Sequence, residues 1–176
     1  MMGKNILITG VPGIGKTTLI KKLVESFKSY HLAGFYTGEI RDGRIRKGFT
    51  LTSLYGQESI LSHVDIKSPC RLGKYGVDVT GFDRFLDTLD LLKPLNKILI
   101  IDEIGKMECF SEKFKMLVKR ALDSGQVVLA TIALRAGGFI DEIKKRKDVE
   151  LYEITRINRD LIAEKIIDTV RGYLDY

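Results

Sequence analysis

The length, composition and charge of the chain exclude several classes of protein. Its 176 residues, 44% hydrophobic and 30% charged, are typical of a folded globular protein and suffice for one domain with a core. No apolar run approaches the ~18 residues of a membrane span, and the first strand pattern starts too early to leave room for a signal peptide. We therefore expect a cytoplasmic protein without membrane contact. The net charge of +6 is spread along the chain and does not indicate a dedicated nucleic-acid surface, although a nucleic-acid partner stays open.

Amino-acid usage adds two expectations about the setting of the protein. The two cysteines, Cys70 and Cys109, lack the spacing of metal ligands and are expected to be free thiols. Asparagine and glutamine are scarce, whereas lysine, arginine and glutamate are plentiful. This usage favours a thermophilic source.

The most informative stretch is a glycine-rich segment between a strand pattern and a helix pattern. The apolar run 6–8 predicts a strand, and Leu19, Ile20 and Leu23 recur at helical spacing. Between them, residues 10–17 read G-V-P-G-I-G-K-T, which matches the P-loop pattern G-x-x-x-x-G-K-[ST] at every fixed position. Strand, loop and helix come in the order that a P-loop requires, so we predict a binding site for the phosphates of a nucleotide.

The chemistry of phosphate binding explains the residue types in this loop. Glycines let the backbone approach the phosphates closely, and the N–H groups at the start of the following helix point at the anion. We expect Lys16 to reach the β- and γ-phosphates as a catalytic cation and Thr17 to place its hydroxyl on Mg²⁺. The predicted nucleotide contacts in the loop are Gly10, Val11, Pro12, Gly13, Ile14, Gly15, Lys16, Thr17 and Thr18.

The rest of the chain alternates strand and helix patterns. Strand-like runs around the Asp42-Gly43 turn predict a small antiparallel meander inserted at 34–62, and the segment 65–79 reads as a loop. Further strands are predicted at 98–101, 127–134 and 149–154, and helices from Thr80 to before Pro94, at 111–123, at 139–146 and at 158–174. This alternation predicts one α/β P-loop NTPase domain over 1–176, with a mostly parallel sheet between two layers of helices.

The strand pattern at 98–101 ends in two acids, Asp102 and Glu103. A carboxylate at the end of a buried strand needs a partner, and in a P-loop protein that partner is Mg²⁺ with its water shell. We therefore predict that Asp102 holds the metal through water. Glu103 is the predicted general base that takes a proton from the attacking water. Glu39 and Glu108 are its rivals for that role.

Several motifs together resemble the small THEP-type nucleoside triphosphatases, also called cancer-related nucleoside triphosphatases. The similarity covers essentially the whole chain and rests on G-V-P-G-I-G-K-T-T-L (10–19), G-F-Y-T-G-E-I-R (34–41), G-K-Y-G-V-D (73–78), I-D-E-I-G-K-M-E (101–108) and N-R-D (158–160). The resemblance implies Mg²⁺-dependent hydrolysis of the terminal phosphate of ATP, GTP and other nucleoside triphosphates, with a broad base range. It also implies a variant of the RecA-like fold, in which another strand separates the P-loop strand from the strand bearing Asp102.

The resemblance places further residues at the nucleotide and also shows two departures. It brings the segment Ile104, Gly105 and Lys106 to the nucleotide. Where the family commonly has a second acid before the glutamate of its T-E-E motif, this chain has Gly38. Where the family often has proline after the fourth core strand, this chain has Ala133.

Other polar residues are weaker candidates for the site. Arg71 and Lys74 could neutralise charge on the transferring phosphoryl group, as could Arg135, and Thr131 could sense the γ-phosphate. Asn158 and Arg159 could approach the base, because asparagine offers both a donor and an acceptor. Two other functions stay open from the residues: a nucleotide or small-molecule kinase, and an ATP-binding module associated with nucleic acid. We expect a monomer.

Overall fold

A nine-stranded sheet runs through the computed structural model, which describes residues 5–174. The predicted unit of 1–176 therefore extends beyond the described residues at both ends. The strands are β1 (Asn5–Thr9), β2 (Leu32–Asp42), β3 (Ile45–Ser53), β4 (Glu58–His63), β5 (Arg71–Leu72), β6 (Tyr75–Val77), β7 (Ile98–Ile104), β8 (Val127–Ile132) and β9 (Val149–Glu153).

Five α-helices accompany the sheet in the described part of the chain. They are α1 (Lys16–Ser26), α2 (Val79–Asp87), α3 (Glu112–Asp123), α4 (Gly138–Lys144) and α5 (Ile162–Leu174), and a single 3₁₀ turn covers Glu108–Phe110. Each of these helices is too short or too polar to span a bilayer.

The strand order β5-β6-β4-β3-β2-β7-β8-β1-β9 divides the sheet into two halves. The first half of β2 pairs with β7, β7 with β8, β8 with β1 and β1 with β9, all in parallel. β8 thus lies between the P-loop strand β1 and the acid-bearing strand β7, which confirms the predicted RecA-like variant of the α/β P-loop NTPase fold.

Helices cover both faces of the parallel half. On one face, α1 and α5 pack over β1, β7 and β8 through residues such as Ile20, Leu23 and Ile166. On the other face, α2, α3 and α4 pack around a cluster of phenylalanines that includes Phe35, Phe82 and Phe114. The continuous apolar patterns of β1, β7 and β8 follow from this burial on both faces.

The antiparallel half contains more than the predicted meander. Beyond Phe35, β2 turns away from β7 and pairs with β3, which pairs with β4, so the meander continues the main sheet. The segment predicted as a loop at 65–79 adds the hairpin β5–β6 at the edge. These two strands escape a sequence pattern because they contain only two and three residues.

Two predicted helix starts differ from the structure, at α2 and at α5. α2 begins at Val79, because the Asp78 carboxylate accepts the Gly81 N–H at 2.8 Å, so Asp78 and not Thr80 is the cap. This helix also ends at Asp87, well before Pro94. α5 begins at Ile162 rather than at residue 158, which belongs to a turn described below.

Candidate active site

The glycine-rich loop between β1 and α1 has the backbone that its sequence predicts. Gly13 and Gly15 have φ values of 77° and 112°, a region that side-chain-bearing residues rarely adopt. At Gly10, a Cβ would lie 2.7 Å from the Ile154 carbonyl oxygen, so the loop start packs against the chain leaving β9. No side chain caps the first turn of α1, and its N–H groups are therefore available to an anion.

Lys16 and Thr17 project from the first turn of α1. The Lys16 ammonium donates hydrogen bonds to the carbonyl oxygens of Gly10 at 3.0 Å and Val11 at 3.5 Å. The Thr17 hydroxyl crosses to the end of β7 and donates to Asp102 Oδ2 at 2.8 Å. The loop, the helix start and the acid-bearing strand therefore meet at one place.

Asp102 is only 1% exposed and is held on both carboxylate oxygens. Thr17 donates to Oδ2, and Thr131 at the end of β8 donates to Oδ1 at 2.6 Å, while Thr37 on β2 donates to the backbone carbonyl oxygen. Burial raises the pKa of this carboxyl, and the hydrogen bonds from Thr131 and Thr17, together with the charge of Lys16, oppose that rise. Thr131 therefore contacts the predicted metal-side acid in this structure.

The oxygen donors around Asp102 fit a hard divalent cation. The Thr17 hydroxyl oxygen and Asp102 Oδ2 lie 2.8 Å apart. Hydroxyl and carboxylate oxygens are the types of ligand that Mg²⁺ prefers. Within residues 5–174 no cluster of three or more acidic, histidine or cysteine side chains could form a complete protein cage for a metal. This agrees with the usual binding of Mg²⁺ through one or two protein groups, the substrate phosphates and water.

Glu103 and Glu108 flank Gly105 just beyond Asp102. A Cβ at Gly105 would lie 2.6 Å from Glu108 Oε2 and 3.3 Å from Glu103 Oε1, so only glycine leaves room for both carboxyl groups. Glu108 is 5% exposed, and burial, reinforced by the nearby Glu103 charge, raises its pKa to about 8. Glu103 is only half-buried, and burial also raises its pKa, while the charge of Lys16 lowers it. The peptide bond between Asp102 and Glu103 is cis.

A turn after β9 lies beside the P-loop and contains Asn158. The Asn158 Oδ1 accepts the Thr155 N–H at 2.8 Å, and its Nδ2 donates to the Glu153 carbonyl at 2.9 Å. Arg156 and Arg159 from this turn line a pocket of about 440 Å³ together with residues 11–14. Sequence reasoning identified Arg159 but missed Arg156, whose signal was its three-residue spacing from Arg159 on either side of a turn-forming asparagine.

The comparisons with known proteins agree with this geometry. A family model described as "NTPase" matches residues 5–167. The chain belongs to this nucleoside-triphosphatase family. Its curated relatives carry the names of hydrolases, and they include nucleoside-triphosphatase THEP1 of Thermotoga maritima, 41% identical over 167 residues that cover 94% of this chain and 95% of the relative. The cancer-related nucleoside-triphosphatase of Homo sapiens is 38% identical and covers 97% of this chain and 98% of its own.

Two solved structures of family members share the fold. The crystal structure of THEP1 from the hyperthermophile Aquifex aeolicus superimposes with a TM-score of 0.85 at 38% identity, covering 94% of this chain and 98% of that one. The solution structure of a human cancer-related nucleoside triphosphatase gives a TM-score of 0.79 at 38% identity, with coverages of 96% and 97%. The Thermotoga and Aquifex relatives agree with the expectation of a thermophilic source.

Gly38 lies on β2, where the family resemblance leads us to expect a second acid. Gly38 lies opposite Thr50 of β3, where a Cβ would be 3.0 Å from the Thr50 hydroxyl. The following Glu39 accepts hydrogen bonds from Arg41 and Arg46, both at 2.7 Å, and these arginines hold the pKa of its carboxyl below the usual range. A carboxylate so paired is a weak proton acceptor, which disfavours Glu39 as the base.

Ala133, where the family resemblance leads us to expect proline, forms a backbone hydrogen bond. The Ala133 N–H donates to the Ile104 carbonyl oxygen at 3.1 Å and so extends the contact between β8 and β7 by one residue. Proline has no N–H and could not form this bond. Arg135 follows on the exposed loop after β8, at the same edge of the sheet as the P-loop.

Arg71 and Lys74 belong to the β5–β6 hairpin, at the far end of the strand order from the P-loop strand β1. Arg71 lies on β5, seven strand positions from β1, which corresponds to roughly 30 Å at about 4.8 Å per strand. Its guanidinium donates to the carbonyls of Ile66 and Lys74 at 3.4 Å and 2.9 Å. These local hydrogen bonds hold the Arg71 side chain in place without a ligand.

The segment after Glu103 contributes less to the site than the resemblance implies. The Ile104 side chain is fully buried in the core, so its side chain cannot contact a nucleotide. Gly105 faces the two glutamates, and Lys106 is exposed. In the P-loop, Thr18 is exposed on the first turn of α1, beside Thr17.

Proposed function

We propose that this protein hydrolyses the terminal phosphate of ATP, GTP and other nucleoside triphosphates to give the diphosphate and inorganic phosphate, with Mg²⁺ as cofactor. The observation that carries the proposal is the 2.8 Å hydrogen bond from Thr17 to Asp102, which joins the phosphate-binding loop to the acid-bearing strand. Membership of the nucleoside-triphosphatase family favours water over an organic acceptor, and with it the hydrolase over the kinase.

The loop and Lys16 bind and neutralise the phosphates in this proposal. Backbone N–H groups from Gly13 to Thr18 surround the β-phosphate, since glycine conformations and a free helix start expose them. Lys16 leaves the carbonyl oxygens of Gly10 and Val11 and turns to the β- and γ-phosphate oxygens, where negative charge develops.

Thr17 and Asp102 are the residues that would hold Mg²⁺. The Thr17 hydroxyl would bind the ion directly and Asp102 would bind it through water, while Thr131 fixes the orientation of the Asp102 carboxylate. When bound, Mg²⁺ neutralises charge on the β- and γ-phosphate oxygens.

Glu103 is the proposed proton acceptor for the attacking water. The water oxygen forms a bond to the γ-phosphorus, the bond from that phosphorus to the β–γ bridging oxygen breaks, and the water proton passes to the Glu103 carboxylate. Glu103 is half-buried beside Asp102, whereas Glu108 is enclosed in the core behind Gly105 and Glu39 is paired with two arginines. Position therefore favours Glu103 over both rivals.

The test is phosphate release from ATP, GTP, CTP and UTP, with Mg²⁺ and with EDTA, in the presence and absence of candidate phosphate acceptors. We expect release from all four nucleotides, only with the metal and without an acceptor. The variant Asp102→Asn should need a higher Mg²⁺ concentration for half-maximal activity, and Asp42→Asn at the exposed β2–β3 turn is the matched control. Activity that depends on an added acceptor, or that persists in EDTA, would contradict the proposal.

A further inference from the structure

The pocket beside the P-loop combines two arginines with an apolar wall. Its volume of about 440 Å³ falls within the range of small-molecule sites. One side of the pocket is formed by residues 11–14 of the loop, and Val11 is 51% exposed. The other side is formed by Arg156 and Arg159. The pocket therefore places apolar side chains and two guanidinium groups next to the glycine-rich loop.

The turn after β9 fixes both arginines on the same side. Thr155 and Asn158 bond each other reciprocally, from the Thr155 N–H to Asn158 Oδ1 at 2.8 Å and from the Asn158 N–H to Thr155 Oγ1 at 3.3 Å. The Arg159 N–H also donates to the Thr155 carbonyl at 3.1 Å. In such a helical turn, residues three apart lie on one face, which brings Arg156 and Arg159 together.

Both guanidinium groups have N–H donors that are available to a ligand. Arg159 has the neighbouring Asp160 carboxylate at 3.6 Å, with more than half of its side chain exposed. Arg156 is exposed and forms no ion pair within residues 5–174. Neither group is therefore committed to holding the fold.

The strand order gives the bound nucleotide a direction. Asp102 and Glu103 end β7, Thr131 ends β8, the P-loop follows β1, and the turn with Arg156 follows β9. The reacting γ-phosphate belongs on the β7 side, where the acids are. The nucleoside must then leave the loop on the opposite side, towards β9.

We propose that this pocket holds the nucleoside, with the Arg156 and Arg159 guanidinium planes against the face of the base. The inference rests on the proposed function and names the residues that bind the part of the substrate that does not react. Planar guanidinium groups stack on any aromatic base, because every base has a π-face.

The same turn predicts that this pocket does not select one base. The side chain best suited to read a base edge is the amide of Asn158, and it binds Thr155 and Glu153 within the turn. What lines the pocket is the apolar loop and the two arginines. Recognition through the face of the base, rather than its edge, predicts similar affinities for purines and pyrimidines.

The experiment separates the nucleoside from the phosphates by using inorganic tripolyphosphate as a competitor. Steady-state kinetics with ATP, GTP, CTP and UTP are measured for the wild type and for the double variant Arg156→Ala/Arg159→Ala. We expect KM to rise at least tenfold for all four nucleotides, by factors within threefold of one another, with kcat changed less than twofold. The inhibition constant of tripolyphosphate should stay within twofold.

A second variant, Arg156→Lys/Arg159→Lys, keeps the charge and removes the planar group. We expect its KM values to stay close to those of the alanine variant, and Arg120→Ala on the exposed face of α3 to match the wild type. Three results would each overturn the inference. They are a wild-type KM in the lysine variant, weaker inhibition of the alanine variant by tripolyphosphate, and an unchanged KM in the alanine variant. If the wild type hydrolyses no nucleotide, the proposed function fails, and equilibrium binding of ADP to the same variants still tests the pocket.

Discussion

The parallel and antiparallel halves of the sheet differ in how they are covered and in what they carry. Core clusters cover both faces of β1, β7 and β8, whereas β3, β4 and β6 pack mainly against the cluster around Phe82 on one face. Four groups of the candidate site lie at the carboxyl edge of the parallel half: Lys16, Thr17, Asp102 and Thr131. Arg71 and Glu39 in the other half are engaged in local bonds. Charged residue types alone therefore do not mark the site; the half of the sheet that bears them does.

The largest contrast between the halves should come from removing one cation in each. Lys16→Ala should abolish turnover while the protein stays folded, since developing charge on the phosphates loses its partner. Arg71→Ala should leave turnover within twofold, because its guanidinium binds only nearby carbonyls. Phosphate release and circular dichroism of both variants provide the measurement. Wild-type turnover in Lys16→Ala would refute the assignment of the P-loop.

The two candidate bases on the different halves give the next largest contrast. Glu103→Gln keeps the shape of the side chain and removes the proton acceptor, so single-turnover rates should fall by roughly 10²–10⁴-fold. Affinity for a non-hydrolysable nucleotide should stay within a few fold. The matched variant Glu39→Gln should retain most of its rate. If Glu103→Gln were active and Glu39→Gln or Glu108→Gln inactive, the role of base would pass to that residue.

Core substitutions should sharpen the difference in burial between the halves. Ile100 on β7 is fully buried, and Ile100→Ala should lower the free energy of unfolding by about 2–5 kcal/mol. Ile60 on β4 is 48% exposed, and Ile60→Ala should cost less than about 1 kcal/mol. Urea unfolding at one pH compares the two variants. Equal losses would show that the open face of the antiparallel half is covered in solution.

The smallest effect concerns pH, with opposite signs in the two halves. Burial raises the pKa of Glu108 to about 8, so between about pH 4.5 and 8 the folded protein holds a proton that the unfolded chain has lost. The free energy of unfolding therefore falls as pH rises through this range. Glu108→Gln should match the wild type near pH 5 and exceed its stability near pH 9, by up to a few kcal/mol.

The comparison variant is Glu39→Gln, measured by urea unfolding at the same pH values. Arg46 and Arg41 lower the pKa of Glu39 in the folded protein. The ionised carboxylate therefore adds to stability at pH values above its pKa in the unfolded chain, and this contribution is lost as the pH falls through its pKa in the folded protein. This variant should lose a little stability at neutral pH and none at low pH. A Glu108→Gln variant whose stability followed that of the wild type at every pH would show that folding does not raise the pKa of Glu108.

The predictable parts of the fold and the site are those determined by local sequence. Gly10 to Thr17 could be found because strand, turn and helix patterns meet there, and Asp102 because an acid ends a fully apolar strand. The order of β1, β8 and β7 came from the family resemblance, since apolar runs do not say which strands are neighbours.

The parts that escaped prediction depend on contacts between distant segments. Thr131 and Thr37 hold Asp102 from 29 and 65 residues away, and no periodicity links them to it. The hairpin β5–β6 is too short for a pattern, so the sequence does not show that Arg71 lies on an edge strand. Arg156 was missed because its neighbourhood is created by the pairing of β9 with β1.

The two charged groups that face each other across this site differ in side-chain freedom. Asp102 is held at both carboxylate oxygens, so its rotamer entropy is lost when the chain folds and not when a nucleotide arrives. The Lys16 ammonium instead has temporary acceptors, the carbonyl oxygens of its own loop, which a phosphate must replace. In the ligand-free loop the Lys16 ammonium is therefore hydrogen-bonded. A nucleotide entering the site meets an acid already in place and has one long side chain to reorient.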